Sequence, residues 1–182
     1  TLHNGKGFWN VTRDAILYHK EALIQLDYLM ASQWESWLKS FAVHHNVKLI
    51  SLTYWVTGFS SPFAFSIVNS IVWVSSVTLI FKSSKVLFSD KRYLLFLSLI
   101  FFLQPSILFN STQLLRDPIF ILGICCFIYG WSILDKEHAK WRWLVFIVLG
   151  FILTASMRSY LFPVFAITTI CFMVWIVFKK RD

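Results

Sequence analysis

Three short groups of ionisable residues stand apart from the basic loops of this chain and could carry chemistry. Asp14, Tyr18 and Glu21 recur at helical spacing, so a single helix would hold two carboxylates and a phenol near one another. Arg116 and Asp117 are adjacent between two apolar runs, and Arg158 stands between two more, followed by Ser159 and Tyr160. A carboxylate can take a proton, and a guanidinium can hold an anionic oxygen. Each group also has a plain structural use. Asp14 in a first helical turn favours the helix N-terminus. Arg116 and Asp117 can pair with each other, with Asp117 capping a helix that starts at Pro118, and Arg158 can snorkel to an interface. Tyr18 and His19 can be helix-surface groups. His44 and His45 are adjacent, so on a helix they point apart, and a metal would need further ligands. No metal site is expected.

The elements that position these residues are long apolar runs. The chain has 182 residues, 57% of them hydrophobic and 19% aromatic, with a mean hydropathy of +0.64. Charged residues make up 14%, about half the share of a soluble domain, which leaves too little polar surface to cover a core of this size. The fold class expected is all-α, a polytopic membrane helical bundle with an extracytoplasmic amphipathic-helix segment. Five spans are expected, at 62–81, 93–110, 118–134, 143–157 and 161–178. Ser60 or Ser61 is placed to cap the first, with Pro62 at its first helical position, and Pro105 should kink or break the second. Cys125, Cys126 and Cys171 lie inside apolar runs, as small packing residues would.

The basic residues alternate in density from gap to gap. Lys82, Lys85, Lys91 and Arg92 fill one gap, Arg116 alone the next, then Lys136, Lys140 and Arg142, then Arg158 alone, and finally Lys179, Lys180 and Arg181. Basic loops mark the cytoplasmic side, so residues 1–59 and the tips at 111–118 and 158–160 are expected outside, with the carboxyl-terminal tail inside. The net charge of +8 then reflects topology and attraction to anionic headgroups. The cations are not gathered on one element, which argues against a nucleic-acid partner. A segment of 59 residues reaches the outside most simply after an earlier span, so the chain is expected to be a fragment of a longer protein.

Residues 1–59 form the expected extracytoplasmic segment, and 60–182 the membrane domain. Asn10 or Thr12 can cap a helix running to about Met30. A second helix, over about 33–45, repeats Trp34, Trp37, Leu38 and Phe41 at three- and four-residue intervals, which suits a helix lying in the membrane interface. Residues 47–57 are apolar but too short to span.

The stretch Gln104-Pro-Ser-Ile-Leu-Phe-Asn-Ser-Thr-Gln-Leu-Leu-Arg-Asp-Pro, the later Arg158-Ser-Tyr and the earlier Asp14-Ala-Ile-Leu-Tyr-His-Lys-Glu-Ala together resemble the GT-C class of membrane glycosyltransferases. The similarity is to the protein-mannosyltransferase and aminoarabinose-transferase type, and it covers roughly residues 10–178. Such proteins follow a first span with an outer loop holding interfacial helices and an essential acidic residue, then a short outer hairpin with a basic–acidic pair. They often place two acidic residues together, whereas here Asp14 follows Arg13.

The resemblance implies an integral protein of the bacterial inner membrane. It would move a sugar from a polyprenyl-phosphate donor to an acceptor glycan, lipid or protein on the extracytoplasmic face. It assigns Asp14 as base and Arg116 and Arg158 as phosphate partners, with Asp117 orienting Arg116 and Tyr18 and His19 at the substrate. No cofactor is implied, since the lipid-linked sugar is a substrate. The rival expectation is a multispanning scaffold or assembly subunit of an envelope-polysaccharide system. A transporter fits less well, because Asn69, Gln104 and Asn110 are the strongly polar residues of the expected spans and none is charged.

Overall fold

The computed structural model describes residues 13–40, 45–87, 91–104, 114–136 and 141–179, and among these every regular element is helical. In chain order the helices are α1 (Arg13–Met30), α2 (Trp34–Lys39), α3 (His45–Thr57), α4 (Pro62–Leu87), α5 (Lys91–Phe102), α6 (Asp117–Lys136), α7 (Arg142–Met157) and α8 (Phe162–Lys179), with a 3-10 turn at Ser159–Leu161. The chain divides into two compact units. The first comprises Thr1–Val74 and Leu103–Pro118, the second Ser75–Phe102 and Ile119–Asp182.

In the first unit α1 packs on α3. Ala15, Tyr18, Ala22, Gln25 and Leu29 are buried, at intervals of three and four that put them on one helical stripe. The two alanines let the backbones approach. Opposite them α3 buries Val47, Ile50, Ser51 and Tyr54. Helix α1 stops at Met30 in a Schellman motif: the N–H of Ser32 bonds the carbonyl of Leu29 (3.1 Å) and that of Gln33 the carbonyl of Tyr28 (2.8 Å). Ser32 takes the left-handed conformation this requires, at φ +58°.

Helix α2 is shorter than the 33–45 expected. Ser40 ends it, donating its backbone N–H to Ser36 O, and His45 already opens α3. Its Trp37 indole donates to Ser51 Oγ of α3 (3.1 Å), and Ser40 Oγ donates to Gln25 Oε1 of α1 (2.6 Å). Trp37 is therefore held inward on α3, while Trp34 and Leu38 stay exposed and Trp34 meets Trp55 edge-on, 5.0 Å between ring centroids. Asn10, Thr12, Phe41, His44, Pro105 and Asn110 lie outside the described residues.

Helix α4 begins as its sequence dictates. Pro62 is its first residue, and Ser61 Oγ accepts the N–H of Phe63 (3.4 Å), the bond of an N-cap. Its 26 residues extend about 39 Å at 1.5 Å per residue, beyond the roughly 30 Å of a hydrocarbon core. Helix α4 and the Asp117–Leu134 stretch of α6 are both long and apolar enough to cross a membrane. In the first unit Phe65, Asn69 and Trp73 of α4 are buried, whereas Phe63, Ile67, Ile71 and Val74 are all more than half exposed. Such a continuous apolar face suits lipid rather than water. The helices over 92–102, 142–157 and 159–175 are apolar but shorter.

In the second unit α6 and α7 meet through glycine. A Cβ on Gly150 would lie 2.6 Å from both Gly123 O and Phe127 N, and one on Gly123 would lie 2.8 Å from Thr154 Cγ2. Backbones this close are characteristic of small-residue helix packing in membranes. Phe127, Trp131 and Ile147 form the buried centre, with Phe165 of α8 against them. A cavity of about 440 Å³ opens beside it, whose described lining is aromatic and aliphatic apart from the hydroxyls of Ser132 and Thr168.

Candidate functional site

The first unit brings two distant stretches of chain together. Helix α1 supplies Asp14, Tyr18 and Glu21, and the residues that enter α6 supply Arg116 and Asp117. The entry is anchored on both sides of the backbone. Leu114 and Leu115 are buried, and the side-chain amide of the fully buried Asn69 in α4 donates to the Leu115 carbonyl at 3.4 Å. Arg116 follows directly. Asp117 is the first residue of α6, so its carboxylate sits in the first turn, where the helix dipole favours negative charge.

Tyr18 reports the meeting. Its phenol is almost wholly buried and its pKa is raised, first by burial; the positive charge of Arg116 opposes the rise, and Asp14, Asp117 and Glu21 add to it. The phenol therefore stays protonated through the physiological range and is a hydrogen-bond donor set among one guanidinium and three carboxylates. Asp14 lies exposed at the start of α1, within reach of a ligand. Among the described residues the Oε2 atom of Glu21 is buried without a hydrogen-bond partner, an acceptor whose lost solvation none of them replaces. An exposed carboxylate, a guanidinium and a buried carboxylate oxygen thus belong to the surroundings of Tyr18.

His19 is turned elsewhere. Its Nδ1 shares a 2.9 Å hydrogen bond with Tyr54 Oη of α3, and the rings meet edge-on at 5.7 Å. Burial lowers the His19 pKa and raises that of Tyr54, so both groups are held neutral. His19 joins α1 to α3, whereas Tyr18 belongs to the charged cluster. His45 is exposed at the start of α3. Among the described residues no three of His, Cys, Asp and Glu are grouped to hold a metal ion.

Arg158 belongs to the second unit. It ends α7, its backbone N–H on Thr154 O (2.9 Å). The guanidinium lies over the Phe120 ring, 4.9 Å from its centroid, and Nη1 donates to Tyr160 Oη at 2.9 Å. Asn69 was visible in the sequence only as a polar residue in an apolar run; its bond to the strand of chain before Arg116 has no local sequence signature. The described residues lining the apolar cavity of the second unit include no ionisable side chain. No family model, curated protein or solved structure matches this chain.

Proposed function

We propose that this chain is part of a membrane glycosyltransferase that moves a sugar from a polyprenyl-phosphate donor to an acceptor at the extracytoplasmic surface. The observation that carries the reading is the cluster in the first unit: the buried Tyr18 of α1 feels the charges of Asp14 and Glu21 on its own helix and of Arg116 and Asp117 at the start of α6. In the same unit α4 starts a stretch of membrane-crossing length. A lipid-linked substrate needs that combination, because its tail stays in hydrocarbon while its phosphate and sugar need polar partners.

In the reaction an acceptor hydroxyl or amine attacks the anomeric carbon, forming the new glycosidic bond as the bond from that carbon to the phosphate oxygen breaks. The acceptor's proton passes to the Asp14 carboxylate, exposed and able to act as base. The electron pair leaves on the phosphate, whose growing charge is stabilised by guanidinium; Arg116 is the candidate for that role in the first unit and Arg158 the candidate in the second. Asp117 beside Arg116 orients it, and Tyr18, buried among these charges, supports them from within the unit. His19, bound to Tyr54, contributes by fixing α1 rather than by touching substrate.

The test is sugar transfer by the full-length protein in proteoliposomes, from a panel of polyprenyl-phosphate sugars. Transfer that falls in Arg116→Ala with unchanged thermal stability supports the reading. A folded wild-type protein that transfers from no donor, and instead co-purifies with other envelope-polysaccharide proteins, replaces it with a scaffold.

A further inference from the structure

We propose that Tyr160 and Phe120 are positioning residues for Arg158, holding its guanidinium in one orientation to receive a phosphate oxygen. The identification of that phosphate as the donor's rests on the glycosyltransferase reading above. The local backbone sets the arrangement. Arg158 leaves α7 with φ −142° and ψ 77°, and the 3-10 turn that follows is closed by Leu161 N–H on Arg158 O (3.0 Å). The turn carries Tyr160 back beside Arg158, where its hydroxyl accepts from Nη1 at 2.9 Å. From α6, the Phe120 ring covers the guanidinium face at 4.9 Å.

An arginine side chain has several rotatable bonds, and ordering them on binding weakens the binding. Here the ring and the hydroxyl do the ordering before any ligand arrives. A guanidinium packed on one face presents its edge, the direction in which it donates to phosphate. Lysine could reproduce the charge but neither the plane on the ring nor a separate nitrogen for Tyr160. Tyr160 itself is 64% exposed, so its hydroxyl adds little to the core, and burial does not account for its placement.

The experiment measures binding of polyprenyl phosphate and of the matching polyprenol to the full-length protein in phosphatidylcholine nanodiscs. The wild type should prefer the phosphate roughly tenfold, and Arg158→Ala should lose most of that preference. Tyr160→Phe should reduce the preference roughly threefold, with polyprenol binding and thermal unfolding unchanged, and should add nothing in an Arg158→Ala background. Phe120→Leu should act in the same direction, and Phe120→Tyr, which keeps the ring, should restore binding. Positioning is overturned if Tyr160→Phe keeps the full preference, or lowers it equally when Arg158 is absent. Excess phosphatidylglycerol or inorganic phosphate should not displace the ligand; if either does so as well as polyprenyl phosphate, the donor assignment is overturned. A protein that shows this binding pattern but transfers no sugar keeps the positioning roles and loses the glycosyltransferase reading.

Discussion

Tyr18 and Asp14 share one helix, and the proposed reading gives Asp14 a second purpose there. Asp14 stands in the first turn of α1, where a carboxylate steadies the helix, and it also faces solvent beside a buried phenol. Asparagine at this position removes the base while keeping a small polar side chain. Asp14→Asn should therefore lower sugar transfer by roughly a hundred- to ten-thousand-fold, and stability by at most about 1 kcal/mol from the lost dipole interaction. Full transfer by a folded Asp14→Asn protein would reduce Asp14 to a helix-stabilising residue. His19 makes a separate prediction. Its folded pKa lies below the ordinary value because burial disfavours the charged form. The unfolded chain then binds more protons, so this group's stabilisation is present above the unfolded pKa of about 6.5 and is lost as pH falls through the folded value. The fall in melting temperature from pH 7 to pH 5 should be smaller in His19→Gln than in the wild type. Equal falls would show that His19 does not contribute. The spacing of Asp14, Tyr18 and Glu21 could be read from helical periodicity alone. That Tyr18 lies within the electrostatic influence of Arg116, and that His19 bonds Tyr54, could not, because both join residues far apart in sequence.

At the scale of elements, local signals fixed helix ends better than helix partners. Pro62 with Ser61 before it marks the start of α4 because that chemistry is complete within three residues. The end of α2 carries no comparable signal: its tryptophans continue the helical period, yet Trp37 is held by Ser51 on another helix and Ser40 by Gln25 on a third. Tertiary hydrogen bonds decide that boundary. The end of α1 gives a direct test. Its Schellman motif puts a serine at φ +58°, a conformation that costs a residue with a Cβ roughly 1 kcal/mol, whereas glycine adopts it freely. Ser32→Gly should raise the stability of the first unit by several tenths to about 1 kcal/mol, measured by chemical denaturation in detergent micelles. A loss of stability would mean that the serine side chain makes a compensating bond. The α6–α7 contact predicts the opposite sign. A side chain at Gly150 would meet backbone atoms of α6 at 2.6 Å, which a rotamer change cannot relieve. Gly150→Val should thus separate the helices and cost more than about 2 kcal/mol; an unchanged melting temperature would refute the close packing.

At the scale of the whole molecule, composition made the helical class legible, since so few charges and so many apolar residues leave lipid-facing helices as the economical solution. Two helices of crossing length agree with that, and the alternating basic gaps add a direction that no contact between side chains records. That direction can be tested on exposed positions at either end of α4. Phe59, just before the helix, is 72% exposed, and Lys85, in its last turn, is exposed too. With Cys125, Cys126 and Cys171 replaced by alanine, Phe59→Cys in intact cells should react with a membrane-impermeant maleimide. Lys85→Cys should react only after the membrane is opened. The expectation follows from the cost of carrying Lys82, Lys85, Lys91 and Arg92 across the bilayer, against a loop around Arg116 that holds a single basic residue. Labelling of Lys85→Cys from outside would invert the topology and put the Asp14–Arg116 face in the cytoplasm. The acceptor would then have to be cytoplasmic, and a polyprenyl-phosphate donor would need its sugar on that side. Labelling of both positions from outside would mean that α4 does not cross the membrane, and the reading of a lipid-linked substrate would lose its physical basis.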